Sequence, residues 1–170
     1  MASGKRIVTT WGFDMTMTSY EQLNALNAAY AACIDEDKLE SWPEFFTDRC
    51  LYKITSAENY QDNFPVGLIY ADSKGMLADR VSALREANIY ERQRYRHIIG
   101  TPHITSTNND VVHAETPFLV TRTMRGGKMD MFATGKYVDQ IVLDGKVPKL
   151  AQRIVVCDSS SFDTLLAIPL

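Results

Sequence analysis

Cysteine is scarce in this chain of 170 residues: Cys33, Cys50 and Cys157 are the whole set, an odd number at wide spacings. Such a set builds no disulfide framework, suits a reducing compartment and reads as three small buried apolar side chains. Histidine is equally sparse, with only His97, His103 and His113. No cysteine is followed by a histidine two or three places on, which excludes the ligand pairs of a Rieske cluster, and the three histidines stand at spacings unrelated to a facial iron triad. A surplus of positive charge is missing as well. With a formal net charge of −3 and a pI near 5.6, the chain has no whole-molecule field to draw a phosphate backbone, so nucleic acid is a poor partner.

Apolar runs stay well short of the roughly 18 residues that span a membrane. The stretch Met1 to Met17 also lacks the continuous apolar centre of a signal peptide. No membrane association and a cytoplasmic location are therefore expected. The Gly-x-Ser-x-Gly elbow of a hydrolase is absent, no cysteine sits in an activating motif, and "GTPHIT" and "RGGK" have neither the spacing nor the following helix of a phosphate loop.

What is present is a balanced composition, 45% apolar and 23% charged, that fits one packed domain. Residues 1–18 show no clear period and read as an N-terminal arm; residues 19–170 form a single α+β domain. Leu23, Leu26, Tyr30 and Cys33 mark the buried face of a first helix, with Ser19 and Gln22 as its capping box. A second box, Ser41 and Glu44, with Pro43 in the first turn, predicts a short helix that turns Trp42, Phe45 and Phe46 inward. "CLYKIT" alternates like a half-buried strand and "VGLIYA" supplies another. Asp72 then offers an N-cap to a third helix, with Leu77, Val81, Leu84 and Asn88 on one face and an end near Ile89. Beyond it the period is two. Turn signals at "NND", "GG" and "DG" divide strands of about residues 111–124, 128–142 and 147–158. Helices first and a long meander last predict helices on one face of a strongly curved sheet.

"RQRYRHIIGTPHI", residues 92–104, crowds arginine and histidine around a short apolar run. In an extended chain Arg94, Arg96 and Ile98 share one face, while Tyr95, His97 and Ile99 share the other. The outward arginines suit either a partner's carboxylates or internal salt bridges to Glu86, Glu91 or Asp158. Inside the curved sheet, Tyr30, Asp35 and His97 could converge as the acid–base site of a dehydratase or isomerase. The alternative is that Tyr30 packs in the core, Asp35 caps or pairs after the first helix and His97 bonds a neighbour. "TLLAIPL" is too apolar to hang in water and should be buried against the body or a neighbouring subunit.

"WPEFFTDRCLYKIT", "ALREANIYERQRYRHIIGTPHI" and "RIVVCDSSSFDTLLAIPL" together resemble the small (beta) subunits of bacterial aromatic-ring-hydroxylating oxygenases, in the branch that includes the terephthalate, salicylate and anthranilate enzymes. The resemblance runs from about Leu23 to Leu170. It implies a cone-shaped, cystatin-like or nuclear transport factor 2-like roll, shared with scytalone dehydratase and ketosteroid isomerase. It also implies a large (alpha) subunit partner that carries a Rieske 2Fe-2S cluster and a mononuclear Fe(II), in a hexamer of three large and three small chains. On that footing this chain holds no catalytic residue, cofactor or metal. Arg94, Arg96, His97, Leu165, Leu166, Ile168 and Leu170 then become interface candidates, while Tyr30, Asp35 and His97 stay as the site of an alternative stand-alone enzyme; a ligand-binding module of the same fold is a third reading.

Overall fold

In a computed structural model, described here for residues 18–86, 91, 93–143, 147–162 and 166–170, the chain begins with helix α1, Ser19–Asp35. Its cap lies one residue earlier than the spacing suggested. The Thr18 hydroxyl accepts from the Glu21 N–H at 3.3 Å, and the Glu21 carboxylate accepts from the Thr18 N–H at 2.8 Å. Both pairs fit the capping pattern, but only Glu21 brings a full negative charge to the positive end of the helix. A 3-10 helix, Leu39–Phe45, replaces the expected boxed α-helix, with no side-chain cap at its start. Glu44, the would-be box partner, pairs with Lys74 instead at 2.7 Å. Trp42, Phe45 and Phe46 are buried as predicted.

Strand β1, Phe46–Ser56, is followed by the one-turn helix α2, Ala57–Gln61, strand β2, Ile69–Ser73, and helix α3, Lys74–Glu86. The cap of α3 is Ser73, whose hydroxyl accepts from the Met76 N–H at 3.3 Å, and not Asp72. Asp72 is the exposed strand residue before it. Leu77, Val81 and Leu84 bury the helix face; Asn88 and the expected end near Ile89 lie outside the described residues. Strands β3, Gln93–Ile99, and β4, His103–Asn108, lead into the meander of β5, Val111–Met124, β6, Met129–Val142, and β7, Lys149–Cys157. The turns between β4, β5 and β6 are built as the sequence implied, with Asn109 at φ 52° and Gly127 at φ 85°. The "DG" turn lies outside the described residues.

The strands run in the order β2-β1-β7-β6-β5-β3, and β4 continues β3 along the same edge of β5. Only β1 and β7 pair in parallel, so the sheet is mixed and mainly antiparallel. Register breaks in β5 against β6 and in β6 against β7 add twist to strands already 14 residues long. The inner face meets α1, α3 and the 3-10 helix. Edge-to-face ring pairs knit the core there: Trp42 on Tyr52 at 5.0 Å, Trp42 on Phe46 at 5.6 Å and Tyr30 on Phe45 at 5.7 Å. This is the α+β cone that the sequence predicts.

Two residues set the bends. Pro117 sits in the middle of β5, where a missing N–H would normally break a ladder. Its carbonyl accepts from the Gly100 N–H at 2.8 Å, so the proline faces the corner between β3 and β4, where no strand needs its donor. Gly135 in β6 lies against β7 so closely that a Cβ there would stand 2.0 Å from the Val156 carbonyl oxygen. Gly135→Ala should therefore push β6 and β7 apart and cost about 2–4 kcal/mol. Urea unfolding checks this, and an unchanged midpoint would refute it.

Candidate functional site

Asp35 closes α1 and His97 points inward from β3, and the structure brings these two together. His97 Nδ1 lies 2.6 Å from Asp35 Oδ1, and the His97 backbone N–H donates to Asp35 Oδ2 at 2.9 Å. A carboxylate oxygen accepts in such a pairing, so Nδ1 is the ring nitrogen that donates to Asp35. Nε2 is buried with no hydrogen-bond partner among the described residues, and the His97 side chain is 0% exposed. Arg96 reaches across at 3.7 Å from Asp35 Oδ2 with its side chain 68% exposed. The internal partner of that arginine is thus Asp35, and not Glu86, Glu91 or Asp158. Arg94 is exposed on the same outer face, with no ion-pair partner among the described residues.

An open groove of about 1000 Å³ runs past this pair, with Asp35, Glu36 and Asp37 on one wall and Arg94, Arg96 and Arg125 on the other. His97 does not line it. A substrate in the groove meets the carboxylate and the arginines but not the imidazole, so an acid–base dyad is not favoured. Tyr30, the third candidate, is not part of the pair: its hydroxyl donates to the Leu170 carbonyl oxygen at 2.8 Å, and Tyr52 donates to the same atom at 3.1 Å. The pair instead clamps the end of α1 to β3.

A second cluster lies inside the cone. Arg153 of β7 is fully buried and gives Nε and Nη2 to the two Asp139 oxygens at 3.0 and 2.7 Å. Nη2 also reaches Asn27 Oδ1 of α1 at 2.5 Å, and Asn27 donates to Thr116 Oγ1 at 3.4 Å. The guanidinium lies 4.2 Å from the Tyr30 ring centre and 4.1 Å from that of Tyr137. Burial works against the Arg153 charge, but the Asp139 carboxylate holds its pKa above the ordinary value. Burial likewise lifts the Asp139 carboxyl, with Arg153 pulling it back. These residues were not singled out in the sequence. The available signal was phase: Asp139 falls in step with Tyr137 and Ile141 on β6, Arg153 with Val155 and Cys157 on β7, and the two are directly opposite.

The end of the chain is packed on the chain's own body. Leu166, Ile168 and Leu170 are 7%, 7% and 0% exposed, and Arg80 of α3 donates to the Leu166 carbonyl at 2.7 Å. Leu165 lies outside the described residues. No group of three or more His, Cys, Asp or Glu side chains is placed to hold a metal among the described residues. The cysteines do not fit a cluster's thiolate ligands either: burial pushes the Cys33 thiol up to about 11 and the Cys157 thiol up to about 12.

Arg153→Met and Asp139→Leu should each cost about 3–5 kcal/mol, because either leaves a charge buried alone, while the double replacement recovers most of the loss. A double-mutant cycle by urea unfolding measures this, and additive losses would sink the ion-pair account. Removal of Ala167–Leu170 uncovers Tyr30 and Tyr52 and should lower the stability of the isolated chain by about 3–6 kcal/mol. An unaltered unfolding midpoint would contradict that assignment.

Comparison with known proteins agrees with this architecture. Residues 29–164 match the family model of the ring hydroxylating beta subunit. Subunit beta 1 of the terminal oxygenase component of terephthalate 1,2-dioxygenase, from a Comamonas species, is 51% identical over 150 residues, which are 88% of this chain and 97% of the relative. The anthranilate 1,2-dioxygenase small subunit of Burkholderia cepacia is 34% identical over 91% of this chain and 96% of its own. A solved beta subunit from Novosphingobium aromaticivorans, assigned to an aromatic-ring-hydroxylating dioxygenase, superposes with a TM-score of 0.83 at 41% identity and covers 89% of this chain and 97% of its own. A family match across most of the chain, and a relative aligned over nearly its whole length, place this chain in the family of ring-hydroxylating dioxygenase beta subunits.

Proposed function

We propose that the chain is the non-catalytic small subunit of a terephthalate-type oxygenase acting on an aromatic acid, and that it supports the assembly and stability of a catalytic large subunit. The observation that carries this is 51% identity over 97% of a terephthalate dioxygenase beta subunit. The Asp35–His97 clamp and the buried Arg153–Asp139 pair support a scaffolding role, since their side chains are engaged with one another inside the fold. In this reading the large subunit holds the 2Fe-2S cluster and the mononuclear Fe(II), and three copies of each chain make a hexamer in the bacterial cytoplasm. The described residues fit neither iron group. The role of this chain is to present a rigid outer surface, not to move a proton or an electron. No helix among the described residues is long and apolar enough to cross a membrane.

The test is co-expression with a large subunit of a terephthalate-type oxygenase. The purified small chain alone should neither retain iron nor consume terephthalate, and the joint preparation should do both when supplied with reductant and oxygen. His97→Ala in the complex should leave turnover per iron within about twofold of wild type, with any loss confined to thermal stability. Turnover by the isolated chain, abolished by that substitution, would replace this reading with an enzyme of the same fold.

A further inference from the structure

The segment Leu166–Leu170 is buried along its whole length, yet it forms neither helix nor strand. Side chains of the body hold it at both ends. Arg80 of α3 donates to the Leu166 carbonyl at 2.7 Å. At the other end the Leu170 carbonyl accepts from the Tyr30 hydroxyl of α1 at 2.8 Å and from the Tyr52 hydroxyl of β1 at 3.1 Å, while the Tyr52 oxygen accepts from the Leu170 N–H at 3.1 Å. Between these anchors Leu166, Ala167, Ile168 and Leu170 join the apolar core cluster. A few polar groups set in an apolar wall and aimed at an oxygen is the way a pocket holds a small ligand.

The site has more donors than the segment uses. The Trp42 indole N–H and the Tyr137 hydroxyl are buried with no hydrogen bond of ordinary geometry among the described residues. Trp42 packs edge-on against Tyr52 at 5.0 Å, and Tyr137 packs against Tyr30 at 6.2 Å. Each orphaned donor thus belongs to a ring that touches one of the two tyrosines holding Leu170. Burial raises the Tyr30 pKa, and Arg153, Trp42 and Tyr52 draw it back, so these groups lie near its hydroxyl. Unpaired donors are costly in a core built only to pack. They suit a site that receives an acceptor.

We infer that the interior of the cone is a ligand pocket for a short apolar compound carrying a carbonyl oxygen, and that residues 166–170 occupy it as a tethered ligand. The tyrosine hydroxyls read the oxygen and the apolar cluster reads a leucine-like body. Residues 158–165 link the segment to β7, and a short link gives an effective concentration of about millimolar, which a free competitor of modest affinity does not match. The pocket is therefore closed in the intact chain and opens once the tether is cut. This goes beyond the small-subunit reading and does not depend on it.

The test keeps the full chain. A specific protease site placed between Ser160 and Ser161, both exposed, is cut after folding. The 161–170 fragment should stay bound through gel filtration and should exchange with a fluorescent peptide of the same sequence. N-acetyl-leucinamide should displace that peptide, and it should bind the cut chain, dialysed free of fragment, at least about 100-fold more tightly than the uncut chain. Tyr30→Phe with Tyr52→Phe keeps both rings and removes both hydroxyls, so peptide affinity should fall at least about 10-fold. A cut chain that unfolds as the fragment leaves, or a fragment that never exchanges, would overturn the inference and make the segment ordinary core. A peptide that N-acetyl-leucinamide fails to displace, or one that the double variant binds as tightly as wild type, would overturn it too. The exchange and displacement measurements use wild-type side chains, so they stand even where the double variant does not fold.

Discussion

A fully buried arginine holds the two halves of this fold in register. Arg153 is clasped by Asp139 on the neighbouring strand, by Asn27 on α1 and by the ring faces of Tyr30 and Tyr137. Removing such a charge from water is expensive, and the geometry offsets that cost only when helix and sheet stand in one relative position. An apolar core of the same volume tolerates sliding; this one does not. The cluster therefore acts as a locating pin between α1 and the β6–β7 pair, and the rest of the interior assembles around it.

The pin also ties up side chains inside the cone. Tyr30 gives one ring face to Arg153 and its hydroxyl to the Leu170 carbonyl, while Tyr52 gives its hydroxyl to the same oxygen. The last residues of the chain thus pack between α1, β1 and α3, with the Tyr30 and Tyr52 hydroxyls bonded to the Leu170 carbonyl. Asp35 and His97 are spent likewise, on fastening the end of α1 to β3. The outside of the fold carries exposed charges and apolar side chains. On that outside sit the arginines of β3 and the exposed methionines and aromatics at the two ends of the sheet.

Much of this was legible along the chain. The long strands were read nearly to the residue because the period of two persists over many positions and each run ends in turn chemistry. The inward set of β3 followed from the same alternation. The capping residues were read one position off, since Thr18 and Ser19 both begin a plausible box and only the charge of Glu21 decides between them. The helix expected at Ser41 became a 3-10 turn, with its would-be cap partner Glu44 drawn away to Lys74.

The sequence by itself determined the element order, the buried faces and the family, because periodicity and residue type are local properties that survive without a third dimension. Which polar side chains meet was decided only by the tertiary structure. Asn27 and Arg153 are 126 residues apart, and Asp35 and His97 are 62 apart. Such pairs exist only after the sheet has curled over α1, and no pattern confined to one strand or one helix encodes the angle at which that happens.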